Sequence, residues 1–161
     1  MEPSSVNEAI IQATSFNTAM GQIGGIAALA MAALGSAFGT SIAASASIGA
    51  WKKCYAQGKA APFMLLTFVG APLSQTIYGI VLMFSMKEKI AAGHPWQGLV
   101  AAGLLSGATI GVSAWLQGKA AAAGSDALAE TGEGFTNYLA ALGIIETVAI
   151  FTMVFTMLAI G

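Results

Sequence analysis

Glu146 lies inside the apolar stretch Leu142-Gly-Ile-Ile-Glu-Thr-Val-Ala-Ile-Phe151, and it is the one acidic residue so placed. The other six, Glu2, Glu8, Glu88, Asp126, Glu130 and Glu133, fall at an end of the chain or near predicted turns. A carboxylate at bilayer depth is costly to keep, so it reads as a functional group that binds an ion or a proton. Three further polar residues sit at positions that could reach the same level: Gln75, with Ser74 beside it, and Gln117. Hard cations take oxygen ligands. This set offers a carboxylate, two amide oxygens, a hydroxyl and a nearby backbone carbonyl. A bound monovalent cation would cancel the charge of Glu146, and a proton would do so with fewer ligands. Neutralisation matters because an unpaired buried charge costs several kcal/mol even after relaxation.

Composition points to the same solvent. The chain has 161 residues, 57% of them hydrophobic and 8% charged, with a mean hydropathy of +0.77. A soluble domain has about a quarter of its residues charged. Six lysines, no arginine and a net charge of -1 leave no basic stripe, so no nucleic-acid partner is expected. Cys54 is the single cysteine, which excludes an internal disulfide. The first sixteen residues lack a basic region, so a cleaved signal peptide is not expected. The chain is expected to be an integral, multi-pass membrane protein in contact with lipid.

The elements that must position these residues are four hydrophobic runs at about 17–50, 62–86, 95–127 and 134–160. A spanning helix needs ~20 residues, so each run suffices. The expected fold is all-α: four transmembrane helices as two tandem antiparallel hairpins. A polar N-terminal segment (1–16) precedes the first hairpin (17–86). A connecting loop (87–94) leads to the second hairpin (95–161), which carries the ion site. Runs 1 and 3 are rich in small residues, with Gly21/Gly25 and Gly35/Gly39 in one and Gly103/Gly107/Gly111 in the other. Such rows let backbones approach closely. Runs 2 and 4 are bulkier, so the small-residue helices form an inner layer and the bulky ones an outer layer. Tight packing in a single bundle would use the same glycines.

The halves resemble a duplication. Ser36–Ala44 can be laid over Ser113–Ala121, and Ser74-Gln-Thr76 over Ile145-Glu-Thr147. Gln75 then stands where Glu146 stands in the second half, and Thr40 where Gln117 stands. Residues equidistant from a hairpin turn share a depth. Gln117 and Glu146 are centred on Thr131/Gly132, ~21 Å from that tip at 1.5 Å per residue. Thr40 and Gln75 are centred on Gln57/Gly58. Ala71, Gln75, Tyr78 and Gly79 share a helix face. Pro72 interrupts that helix and pushes against the carbonyl of Phe68. Carbonyls loosened at this depth need another partner, which a cation could be.

Each residue has an ordinary alternative. Gln75 and Gln117 could merely tie helices together, Tyr78 could be packing, and Ser74 could bond its own backbone. His94 reads as an exposed loop residue and Cys54 as a loop thiol. The coincidence of depth lifts the set above its parts. Four lysines flank the hairpin tips (Lys52, Lys53, Lys59, Lys119) and two the central connection (Lys87, Lys89). The positive-inside rule then puts loops 1–2 and 3–4 in the cytoplasm and both termini on the other side. Lys119, two residues past Gln117, should point away from it, into a ring interior or outward toward the interface.

The stretches Gly70–Gly79, Leu116–Gly124 and Ile144–Val148 resemble the rotor-ring proteolipid (c or K) of V-type and A-type ATPases, in its duplicated-hairpin form. The resemblance covers nearly the whole chain after residue 17. It implies a homo-oligomeric ring turned by ATP hydrolysis through a central stalk at the cytoplasmic hairpin tips. Each Glu146 would exchange its ion with a membrane stator subunit that supplies an arginine. The chain would carry ions without being an enzyme. Sodium-carrying members imply Glu146, Gln75, Gln117, Ser74 and the carbonyl of Ala71 as ligands of Na+, with H+ as the alternative cargo. Tyr78, Pro72 and Thr40 would support them. Ser74 stands where a threonine is usual, and Val148 where a tyrosine can occur. Two other readings compete: a small secondary ion-coupled transporter using Glu146 as coupling residue, and a structural bundle indifferent to it. No histidine, cysteine or lysine stands at catalytic spacing from Glu146.

Overall fold

The computed structural model describes residues 3–161, so Met1 and Glu2 of the polar N-terminal segment lie outside the described residues. The described residues are all-helical. Helix α1 runs from Pro3 to Ala56, α2 from Leu65 to Gly70, α3 from Ser74 to Ala91, α4 from Trp96 to Thr131 and α5 from Phe135 to Ala159. A 3-10 turn, Ala71–Leu73, joins α2 to α3, so these two form one interrupted span. Four helical stretches are thus long and apolar enough to cross a membrane. They are arranged as two tandem hairpins, as expected for a multi-pass membrane protein.

Helices α1, α3 and α4 each outrun their hydrophobic run at the C-terminal end by more than a turn. No break separates residues 3–16 from the rest of α1. At its other end α1 winds on to Ala56 because α4 runs beside it as far as Thr131. Cys54 is therefore not a loop thiol. It sits in the last turn of α1, 3% exposed, with Sγ 3.9 Å from the carbonyl of Ala129. His94 is half-buried rather than exposed, since its carbonyl accepts a bond from Asn17 of α1 (3.1 Å). Asn17 Oδ1 also accepts the backbone N–H of Trp96 (3.1 Å), one of the four donors that a helix start leaves open.

Each turn has a local cause. Gly58 turns the first hairpin at φ 65°, and Gly132 and Gly134 turn the second at 74° and 86°. Side chains rarely adopt that region. Expectation and structure agree on both tips.

Helices α1 and α4 run parallel in backbone contact. A Cβ added at Gly35 would lie 1.9 Å from the carbonyl oxygen of Gly111, and one at Gly103 1.9 Å from that of Gly24. A Cβ at Gly118 would lie 2.2 Å from the Cα of Gly39. The i+4 row Gly103/Gly107/Gly111 therefore lies against α1. On α1 the pairing is redistributed: Gly24 faces α4, while Gly21 and Gly25 meet Ile90 and Met83 of α3. Neighbours across this seam are offset as the duplication predicts. Ser47 bonds Ser125 (3.0 Å), and Lys53 Nζ donates to Glu130 at the two tips. Helices α3 and α5 pack on the outside of this pair. Helix α5 is the barest, with Ile144, Phe151, Phe155 and Leu158 exposed.

Candidate ion-binding site

The site forms where the interrupted span passes α4 and α5. Pro72 lacks an N–H and cannot continue the helical ladder, and the chain tightens into a 3-10 turn there. Its ring is fully buried beside Gly39, where an added Cβ would come within 2.9 Å of Pro72 Cβ. The residue after the turn, Ser74, has Oγ 3.1 Å from the carbonyl oxygen of Ala71 and 3.1 Å from Oε1 of Gln75. Three oxygens thus stand close together, and the Ser74 hydroxyl, which carries one hydrogen, can donate to only one of the other two at a time.

Gln75 and Gln117 are both fully buried. Gln75 Nε2 donates to Gln117 Oε1 (2.7 Å). Gln117 Nε2 donates to the carbonyl of Leu142 (3.0 Å) and lies 3.4 Å from Oε2 of Glu146. The other carboxylate oxygen, Oε1, accepts from the hydroxyl of Tyr78 at 2.5 Å. Glu146 is only half-buried. The outcome is one chain of polar contacts from Ala71 through Ser74, Gln75 and Gln117 to Glu146 and Tyr78. It links both hairpins at a single level.

The structure thus brings together Glu146, Gln75, Gln117, Ser74, Ala71 and Tyr78. Thr40 stays apart from them: its Oγ1 is buried with no hydrogen-bond partner among the described residues, as is Ser36 Oγ one turn away. Two participants escaped sequence reading. The carbonyl of Leu142 enters because it lies one turn before Glu146 on α5, a backbone group with no side-chain signal. Ser113 Oγ donates to the carbonyl of Ile145 (3.1 Å); its position one turn before Gln117 was the available clue. Lys119 points away from the site, as its two-residue offset requires, and its Nζ stands 4.6 Å from the centre of the Trp115 ring.

Beside this level α4 and α5 leave an open groove of ≈ 520 Å³ lined by Ala108, Thr109, Val112, Ser113, Leu116, Ile144, Ile145 and Val148. No His/Cys/Asp/Glu cluster of transition-metal type occurs among the described residues. What the site holds is a carboxylate amid neutral oxygens and amides. That chemistry suits a hard monovalent cation or a proton and offers no nucleophile–base pair.

Residues 100–159 match the family model of the ATP synthase C subunit. The match takes in nearly all of α4 and the whole of α5, and so includes Gln117, Leu142 and Glu146. Ser74, Gln75 and Tyr78 lie outside it. No curated protein matches the chain. The similarity to this family is thus confined to the second hairpin.

Proposed function

We propose that the chain is the rotor-ring proteolipid of a V/A-type rotary ATPase and that it carries Na+ across the membrane on Glu146. Copies assemble side by side into a ring with α1 and α4 on the inside and α3 and α5 outside. The observation that carries the reading is the chain of contacts ending on Glu146. One carboxylate per four helices is served by both hairpins, and the first hairpin supplies neutral Gln75 where the second has its charge.

The ion is cargo, and the residues divide its handling. Glu146 supplies the balancing charge. The cluster of Ala71 carbonyl, Ser74 Oγ and Gln75 Oε1 supplies neutral oxygens that a single hydroxyl proton cannot all satisfy, which favours Na+ over H+. Gln117 orients the carboxylate and Gln75. Tyr78 holds Glu146 on the side away from Gln117. With the ion bound the site is neutral and can face lipid. Emptied, it needs an opposite charge, which a membrane stator subunit supplies as an arginine, since this chain has none. The lysines at the hairpin tips favour a cytoplasmic position for those loops by the positive-inside rule, and a central stalk would engage them there. The groove between α4 and α5 opens at the level where the adjacent copy in a ring would pass.

Reconstituted with its partner subunits, the complex should accumulate radioactive sodium in vesicles on addition of ATP. A protonophore should leave that uptake intact. Uptake abolished by the protonophore would make the cargo a proton, and no ATP-driven uptake of either ion would overturn the rotor reading.

A further inference from the structure

The seam between α1 and α4 is a template for a second one. The duplication lays α1 over α4 at an offset of 77 residues, as Ser36 over Ser113 and Thr40 over Gln117. The two helices run parallel, so the step from α1 to α4 can be repeated from α4 to the α1 of a further copy. Head-to-tail contacts of this kind generate rings when the rotation closes. Each contact in the internal seam then has a counterpart between copies, found by moving its α1 residue forward by the offset and its α4 residue back.

Within the chain, a Cβ at Gly39 would lie 2.3 Å from the carbonyl oxygen of Ala114, and one at Gly107 2.9 Å from the Cα of Ala28. The counterparts of these two contacts are Leu116 with Ala37, and Leu105 with Ala30. The counterpart of Gly35 on Gly111 is Val112 with Leu34. All six counterpart residues are exposed in the single chain, Leu34, Leu105, Val112 and Leu116 by 60%, 71%, 51% and 47%. Their directions agree. Ala37 stands two residues from both Gly35 and Gly39, and Leu116 two residues from both Ala114 and Gly118, a rotation of ~200°. Each therefore points away from the seam that its neighbours line.

Charge agrees as well. Lys53 and Glu130 are separated by the same 77 residues, so they are each other's counterparts. The pair they form within the chain recurs between copies, with Glu130 of one copy at the last turn of the next copy's α1, beside Lys52 and Lys53. In the single chain Glu130 and Lys53 keep 55% and 43% of their side chains exposed, which leaves both free to take a second partner.

Resting on the ring reading above, we infer that successive copies meet along α4 of one and α1 of the next, in the register of the internal seam. Leu105, Val112 and Leu116 pack against Ala30, Leu34 and Ala37 of the next copy, and Glu130 reaches the lysines at the end of its α1. Leucine and valine stand here where the internal seam has alanine and glycine, so these helices keep the ordinary 8–10 Å separation. The inner layer of the ring thus alternates between a tight seam within each chain and a wider one between chains.

The test is disulfide formation in the assembled complex, in native membranes and a Cys54→Ser background. Ala37→Cys with Leu116→Cys, and separately Ala30→Cys with Leu105→Cys, should each give a ladder of linked multimers on oxidation with copper phenanthroline. Leu34→Cys with Leu116→Cys is displaced by one helical turn, ~5.4 Å along the seam, and should link about tenfold more slowly. A displaced pair that links as fast as the matched pairs overturns the register. A ring of full native mass that gives no ladder from either matched pair overturns the seam while leaving the ring standing, and would put lipid on these rows. A linked monomer without multimers would mean that the paired positions meet within one chain, and also overturns it. Absence of any oligomer by native mass of the unsubstituted protein overturns the ring itself, and the seam with it.

Discussion

Gln117 joins the two hairpins through one amide: its oxygen accepts from Gln75 Nε2 at 2.7 Å, and its nitrogen faces Leu142 and Glu146 at 3.0 and 3.4 Å. The charge on one hairpin is thereby positioned by an uncharged residue at the matching place on the other. Each contact in that relay can be broken separately.

Glu146→Gln should abolish ion transport while leaving the protein in the membrane at ordinary levels, because glutamine already occupies the equivalent position 75 without disturbing the fold. Transport assays and membrane immunoblots check this together. A transporting Glu146→Gln variant would favour a structural bundle.

Gln75→Ala removes the donor to Gln117 and one oxygen from the Ala71–Ser74–Gln75 cluster. The sodium concentration for half-occupancy should rise about tenfold, equivalent to ~1.4 kcal/mol. Isotope binding to the purified protein measures it. Gln117→Ala should be at least as severe, since it also leaves the Leu142 carbonyl without its side-chain partner.

Tyr78→Phe keeps the ring and deletes one hydroxyl bond to the carboxylate. Hydrogen bonds between membrane helices are worth ~0.6 kcal/mol on average and at most ~1.7, so ion release should quicken roughly three- to twentyfold. The fold should survive, as shown by unchanged thermal denaturation in detergent.

Gly35→Ala places a methyl group against the Gly111 carbonyl, where backbone rather than a flexible side chain would have to move. A cost of ~1–3 kcal/mol is expected, seen as a lower melting temperature. Gly49→Ala, with open space around it, is the matched control and should be neutral or stabilising.

Much of the architecture was legible because the bilayer restricts the choices. Four runs of sufficient length, two tips marked by Gly58 and Gly132, and small-residue rows on alternate helices led directly to tandem hairpins. The depth argument that paired Gln117 with Glu146 held because hairpin geometry converts sequence distance into height. Three things were not legible. The facing of Gly24 rather than Gly25 toward α4 depends on helix rotation, which a pattern of adjacent glycines leaves open. The burial of Cys54 depends on how far α4 extends, and the polar sequence Trp51–Lys59 masks the last helical turns. The Leu142 carbonyl is backbone, and only its place one turn before Glu146 brings it to the site. Thr40 matched Gln117 in the duplication, yet its hydroxyl stays outside the network because α1 packs along α4 and the contact is made by Gly39 and Pro72 instead.

The most direct test of the central claim is the rate at which a hydrophobic carbodiimide modifies Glu146 in detergent-solubilised protein at fixed pH, with and without sodium. Millimolar sodium should slow the modification several-fold, and the protection should vanish in Gln75→Ala and Gln117→Ala. Labelling that responds to pH but not to sodium would contradict the sodium site, and no labelling of Glu146 under any condition would contradict the ion-carrying role itself.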